Sequence, residues 1–177
     1  MEEKVRSSNQ NAMYYGLITG AAMIVFGLIL YISGQHMNQY LGYFNYLLLI
    51  GGMAWGTLEY RKTYTNGFMS FGMAFTSCFM IGLFASILSA LYTFVFAQFI
   101  YPGFGEEILE KARENMMNSS QQMSDEQLET ALEWTRKFTS PVMMAVWGFF
   151  ISIFFSAILA LVTAIFLKKE DKTITTF

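Results

Sequence analysis

Three long stretches of this chain carry no Asp, Glu, Lys or Arg: 52 residues from Ser7 to Leu58, 43 from Thr63 to Gly105, and 30 from Phe138 to Leu167. A helix on the surface of a soluble domain needs a polar face to meet water. These stretches have none, so the medium around them is lipid. Charged residues make up 14% of the 177, against about 25% in ordinary soluble domains. The length fits a single domain, and the fold class expected is an all-α polytopic membrane protein.

A crossing needs about 20 apolar residues to span roughly 30 Å of hydrocarbon. The first span is expected over about 12–33, ending at "GQHMNQ", and reads as a retained span rather than a cleaved signal, since "YISGQ" lacks a small-x-small cleavage pattern. The second is expected over about 40–58, ending at "EYRK". The third apolar run, Phe68 to Ile100, would reach about 50 Å as one helix. Either it projects beyond the bilayer or its start is a short separate helix in the interface. The second arrangement is preferred, with residues from 68 at the interface, a turn at Gly72 and a span over 75–96. The fourth span is expected over 141–167, with Ser140 as N-cap and Pro141 in the first turn, where its missing N–H costs nothing.

Orientation follows from Lys and Arg near the span ends. Lys4, Arg6, Arg61, Lys62, Lys168, Lys169 and Lys172 put seven on one side. The short loop after the first span has none, and the long loop 102–139 has four, diluted by eight acids. Both termini are therefore expected in the cytoplasm, with the long loop outside. Nine of the ten tyrosines fall near the expected interfaces and only Tyr92 lies well inside a span, as amphipathic rings prefer.

The long loop has helical pattern of its own. In "GFGEEILEKARENMM", Ile108, Ala112 and Met116 share one face, and Glu107 is placed to pair with Lys111. In "SDEQLETALEWTRKF", Ser124 and Gln127 have capping-box spacing, Leu128, Ala131, Leu132 and Thr135 share a face, and Glu133 is placed to reach Lys137. An amphipathic helical hairpin over 102–139 is expected, resting on the membrane surface or on the spans. Asn118-Ser119-Ser120 matches a glycosylation sequon, a triplet common by chance.

In lipid, close backbone approach drives helix association more than apolar burial does. Small residues recur at four-residue steps in every expected span: Gly16 and Gly20, Gly52 and Gly56, then Gly82, Ser86 and Ala90, and finally Gly148, Ser152, Ser156, Ala160 and Ala164. A compact bundle is expected from them, and whether one stripe serves a second copy is open. Gln35, His36, Asn38, Asn45 and Gln98 fall near the outer ends and could form an outer polar cluster, with ordinary interfacial hydrogen bonding as the plainer reading. Glu59 beside Arg61 reads as an interfacial ion pair.

No charge lies deep in any expected span, which argues against proton-coupled carriers and ion pumps. The single His36 has no Cys or His neighbour, so no metal is expected; Cys78, alone in an apolar run, reads as a small buried hydrophobe. There is no Gly-rich phosphate loop and no nucleophile–base pairing. Neither an enzyme nor a cofactor is expected, and a net charge of −2 gives no reason to expect nucleic acid.

The runs "LGYFNYLLLIGGMAWGTLEYRK", "NGFMSFGMAF", "SALYTFVFAQFIYPGF" and "MSDEQLETALEWTRKFTSP" resemble the domain of unknown function 4199 family, small four-span membrane proteins of Bacteroidota. The resemblance covers nearly the whole chain. It implies a bacterial inner-membrane location and a periplasmic long loop, which would leave the sequon irrelevant. It carries no functional residues with it, because the family has no established activity.

Two functional readings remain. One is an accessory or interaction protein, a membrane scaffold whose outer acidic hairpin contacts a membrane-protein partner. The other is a transport element, a homo-oligomeric channel or small-solute carrier lined by Ser, Thr and Gly faces. The lack of buried charge and of any internal repeat favours the first.

Overall fold

The computed structural model describes residues 8–118 and 124–169. Lys4, Arg6, Lys172 and the Ser119-Ser120 part of the sequon lie outside the described residues. Seven α-helices account for most of what is described: α1 (Ser8–Ile32), α2 (Gln39–Gly42), α3 (Phe44–Tyr64), α4 (Phe71–Val95), α5 (Phe104–Asn118), α6 (Asp125–Phe138) and α7 (Pro141–Leu167). Among the described residues there is no strand, only an isolated antiparallel bridge between Met69 and Lys169. Three helices are long and apolar enough to cross a membrane: Ser8–Ile32, Phe71–Ile100 and Pro141–Leu167. Glu59, Arg61 and Lys62 fall in the last two turns of α3, the remaining long helix.

The chain divides into two compact units, one made of residues up to Ser89 together with those from Ser152 onward, the other of Ala90–Ile151.

In the first unit, α1 is capped at Gly34, whose φ of 69° only glycine adopts freely. Its N–H donates to Tyr31 O (3.0 Å) and the Gln35 N–H to Leu30 O (2.8 Å), the paired bonds of a Schellman cap. The second helical run starts later than its apolar pattern suggests. Asn38 Oδ1 accepts the Tyr40 N–H at 3.1 Å to start the one-turn α2, and α3 begins only at Phe44. After α3 the backbone turns through Asn66 (φ 50°) and Gly67 (φ 84°), the latter donating to Arg61 O at 3.0 Å. No separate helix covers 68–74. Phe68 to Ser70 lies outside any helix, and Met69 exchanges two 2.8 Å bonds with Lys169. Ser70 then starts α4, accepting the Ala74 N–H on its carbonyl (3.0 Å) and the Met73 N–H on its hydroxyl (3.4 Å). The helix runs through Gly72 without a turn, because the reversal is already complete at Asn66-Gly67.

In the second unit, α4 widens into a π-turn, Phe96–Ile100, closed by the Tyr101 N–H on Phe96 O at 2.7 Å. Phe96 packs edge-on against Phe104 (5.3 Å) and Tyr101 (6.3 Å). Helices α5 and α6 contact each other. Ile108, Ala112 and Met116 on α5, and Leu128, Ala131, Leu132 and Thr135 on α6, are half-buried. A side chain at Gly105 would collide with the Thr139 carbonyl, so glycine is required there. The capping box at Ser124 and Gln127 is present, with bonds of 3.3 and 3.1 Å. Two expected side-chain partnerships are replaced. Lys137 sits 4.8 Å over the Trp134 ring rather than pairing with Glu133. Ser140 turns its hydroxyl back to Lys137 O (3.2 Å) and caps α7 only through its carbonyl, which accepts the Met144 N–H at 2.9 Å.

Candidate functional site: a helix-packing interior

The small residues of the first unit sort into three seams. On α1, Asn11, Tyr15 and Thr19 form one ridge and Ala12, Gly16 and Gly20 the next, as four-residue spacing demands. The first ridge meets α3. Asn11 Nδ2 donates to Gly56 O at 3.0 Å, a side chain on Gly56 would lie 2.7 Å from Tyr15 Cβ, and one on Gly52 would collide with Thr19 Oγ1. The second ridge meets α4: a side chain on Gly16 would lie 2.6 Å from Phe84 Cβ and 2.7 Å from Ile81 O, and one on Gly20 3.1 Å from Leu88. The third seam joins three helices at Gly82, where an added methyl group would lie 2.6 Å from Met53 Cε and 2.8 Å from Ser156 Cβ. Backbone atoms come this close only where one partner has no side chain.

Four of the other predicted packing residues follow the same logic. Ser86 is 4% exposed, and Ser156, Ala160 and Ala164 are fully buried. Ser152 is half-buried, and Ala90, half-buried too, belongs to the second unit. Gly148 differs, since a methyl group there would meet no atom within 4 Å.

Polar side chains are buried with these seams. Thr57 Oγ1 donates to Ser77 Oγ at 3.0 Å and lies 3.2 Å from Cys78 Sγ, all three in the interior. Thr19 returns its hydroxyl to Tyr15 O at 2.7 Å. Ser156 Oγ alone among these has no hydrogen-bond partner. Cys78 is thus a buried small residue, as read from the sequence, with a polar neighbour on α3 that the sequence does not reveal.

At one end of this unit Arg61 takes a role other than the expected one. Its Nη1 donates to Leu167 O at 2.7 Å, joining the last turn of α3 to the C-terminus of α7 across 106 residues of chain. A cation on the unpaired carbonyls of a helix C-terminus satisfies both a bond and the dipole. Glu59 instead accepts from Thr63 Oγ1 at 3.3 Å, so the Glu59–Arg61 ion pair does not form.

Of the expected outer polar cluster, Gln35 and Asn38 meet, Asn38 Nδ2 donating to Gln35 Oε1 at 3.2 Å. His36, in the same loop, packs edge-on against Tyr31 at 5.7 Å. Asn45 Oδ1 is buried without a hydrogen-bond partner. Gln98 lies exposed in the π-turn of the second unit. The Gln35–Asn38 contact is a local turn built around the Asn38 cap of α2.

Sequence reading does not single out Asn11, Thr57 or Ser77, and it gives Arg61 a different partner. The signal for Asn11 was present, since Asn11, Tyr15 and Thr19 share a face opposite the Gly52/Gly56 pair on an antiparallel neighbour. No pattern in the sequence marks Thr57 against Ser77.

The chain matches the family described as "Protein of unknown function (DUF4199)" over residues 14–169. It belongs to the DUF4199 family. No curated protein and no solved structure matches it. In this DUF4199 protein the apolar helices turn bulky side chains outward, Phe150 60%, Phe154 64% and Phe166 80% exposed, while serine, threonine and asparagine lie inside. That inversion of the soluble pattern suits a membrane-embedded protein.

Proposed function

We propose that this DUF4199 protein is a four-span protein of the bacterial inner membrane that acts as an accessory scaffold, without catalytic chemistry of its own. In this reading α1, α3, α4 and α7 cross the bilayer and both termini are cytoplasmic. The charged pair α5 and α6 lies in the periplasm and contacts a membrane-protein partner. The observation that supports a scaffold over a pore is the fate of the Ser, Thr and Gly faces. A channel lined by them needs those faces open to solute, but Thr57, Ser77, Ser86 and Ser156 are buried against neighbouring helices of the same chain, and Gly16, Gly52, Gly56 and Gly82 have no room for a methyl group.

Solute flux in reconstituted vesicles separates the two readings. The scaffold predicts leakage no greater than in empty vesicles; saturable flux of any solute, lost on closing one glycine seam, would replace it with the transport reading. Orientation is tested by Ser119→Cys in a Cys78→Ser background. A membrane-impermeant thiol reagent should label it in cells with a permeabilised outer membrane, and exclusion of the reagent would invert the topology.

A further inference from the structure

We propose that the end of the first unit where the α3 C-terminus, the Phe68–Ser70 segment and the α7 C-terminus meet binds the phosphate headgroup of an anionic phospholipid. This rests on the membrane reading above and is independent of the scaffold role.

The cations here are brought together by the fold. Arg61 is half-buried, and its single described bond, to Leu167 O, occupies one of five guanidinium N–H groups. No carboxylate among the described residues pairs with it. Two residues beyond Leu167, the backbone of Lys169 is held by both bonds of its bridge to Met69. That places Lys169 Nζ 5.6 Å from the Phe68 ring, a cation–π contact on an exposed aromatic. Lys168 and Lys62, next to Lys169 and Arg61 in the chain, are exposed. Against these four cations stands Glu59, two residues before Arg61 on α3, already accepting from Thr63. Glu170 and Asp171 follow Lys169 and lie outside the described residues.

The flank of this site identifies the ligand as a lipid. Phe166 is 80% exposed and Phe68 40%, so the cations border an apolar surface that suits acyl chains. Lysines at such a border lay their stems along apolar groups and keep the ammonium at headgroup depth. Arginine adds a planar fork matched to phosphate oxygens. A basic end held by a backbone bridge loses less freedom on binding than a loose basic tail.

The test uses the full chain in nanodiscs of equal phosphatidylglycerol and phosphatidylcholine, with retained lipids counted by native mass spectrometry. Phosphatidylglycerol should be retained preferentially, and Lys168→Gln/Lys169→Gln should lower that preference by roughly tenfold. The double variant keeps the backbone bridge, so an unchanged melting temperature checks its fold. Equal retention of both lipids, or undiminished preference in the variant, overturns the site. Displacement of phosphatidylglycerol by millimolar inorganic phosphate assigns the site to a soluble anion and overturns the lipid assignment. An alkaline wash of reconstituted vesicles reads the premise separately. A chain stripped by the wash sinks the membrane reading and this proposal together, whereas a retained chain without lipid preference sinks the proposal alone.

Discussion

Helix α7 carries one stripe of small residues, yet its two ends behave differently. From Ser156 to Ala164 the stripe is buried, and Ser156 sits against Gly82 and near Met53. At Gly148 the same pattern meets open space. The spacing is identical, so spacing alone does not create a seam. What distinguishes the buried end is a complementary surface: a glycine on α4 that lets Ser156 approach, and α3 close enough to close the gap. A small residue permits contact, and the opposite helix decides whether it happens.

That contrast can be broken most severely at the buried end. Ser156→Leu forces two extra heavy atoms against Gly82 and should destabilise by about 3 kcal/mol, read as a large fall in melting temperature in detergent. An unchanged melting temperature would show that Ser156 and Gly82 do not form a tight seam. Arg61→Gln comes next. It withdraws a charge-assisted bond from the α7 C-terminus and should cost about 2 kcal/mol, with faster hydrogen exchange at the last turn of α7. Protection of that turn equal to wild type would show the bond to be dispensable. Thr57→Val, which removes the contacts to Ser77 and Cys78, should cost about 1 kcal/mol. Cys78→Ser combined with it tests coupling, since additive losses would mean the thiol and hydroxyl do not interact.

The smallest effects sharpen the comparison. Ser156→Ala removes a hydroxyl that has no partner and should be neutral or slightly stabilising, within about 0.5 kcal/mol. A loss above about 1 kcal/mol would mean the hydroxyl has a partner after all. Gly148→Leu should leave monomer stability within about 0.5 kcal/mol, in direct contrast to Ser156→Leu. If both leucines are equally harmful, the two ends of the stripe are not different in kind.

Much of the architecture was legible because it follows from one-dimensional pattern. Long charge-free runs became helices, the Ser124–Gln127 spacing became a capping box, and the glycine pairs of α1 and α3 became close contacts. Partner choice was not legible. Glu59 beside Arg61 in sequence reads as a pair, but residues two apart on a helix point in different directions, and Arg61 finds a carbonyl 106 residues away. Lys137 likewise chooses the ring of Trp134 over the carboxylate of Glu133. The start of α4 differs from the expected one for a related reason. Gly72 looks like a turn residue, yet the backbone reverses at Asn66-Gly67, where both residues take positive φ. The polar group of Thr57, Ser77 and Cys78 is assembled by register between two helices, a quantity neither helix encodes alone.

Whether this internally packed helical protein serves as a scaffold for another protein is tested most directly by native mass spectrometry of the protein extracted gently from its own membrane. A scaffold should appear in a complex with a second protein at fixed stoichiometry, lost when the acids of α5 and α6 are neutralised. A bare monomer or a closed homo-oligomer, unchanged by that neutralisation, would contradict it.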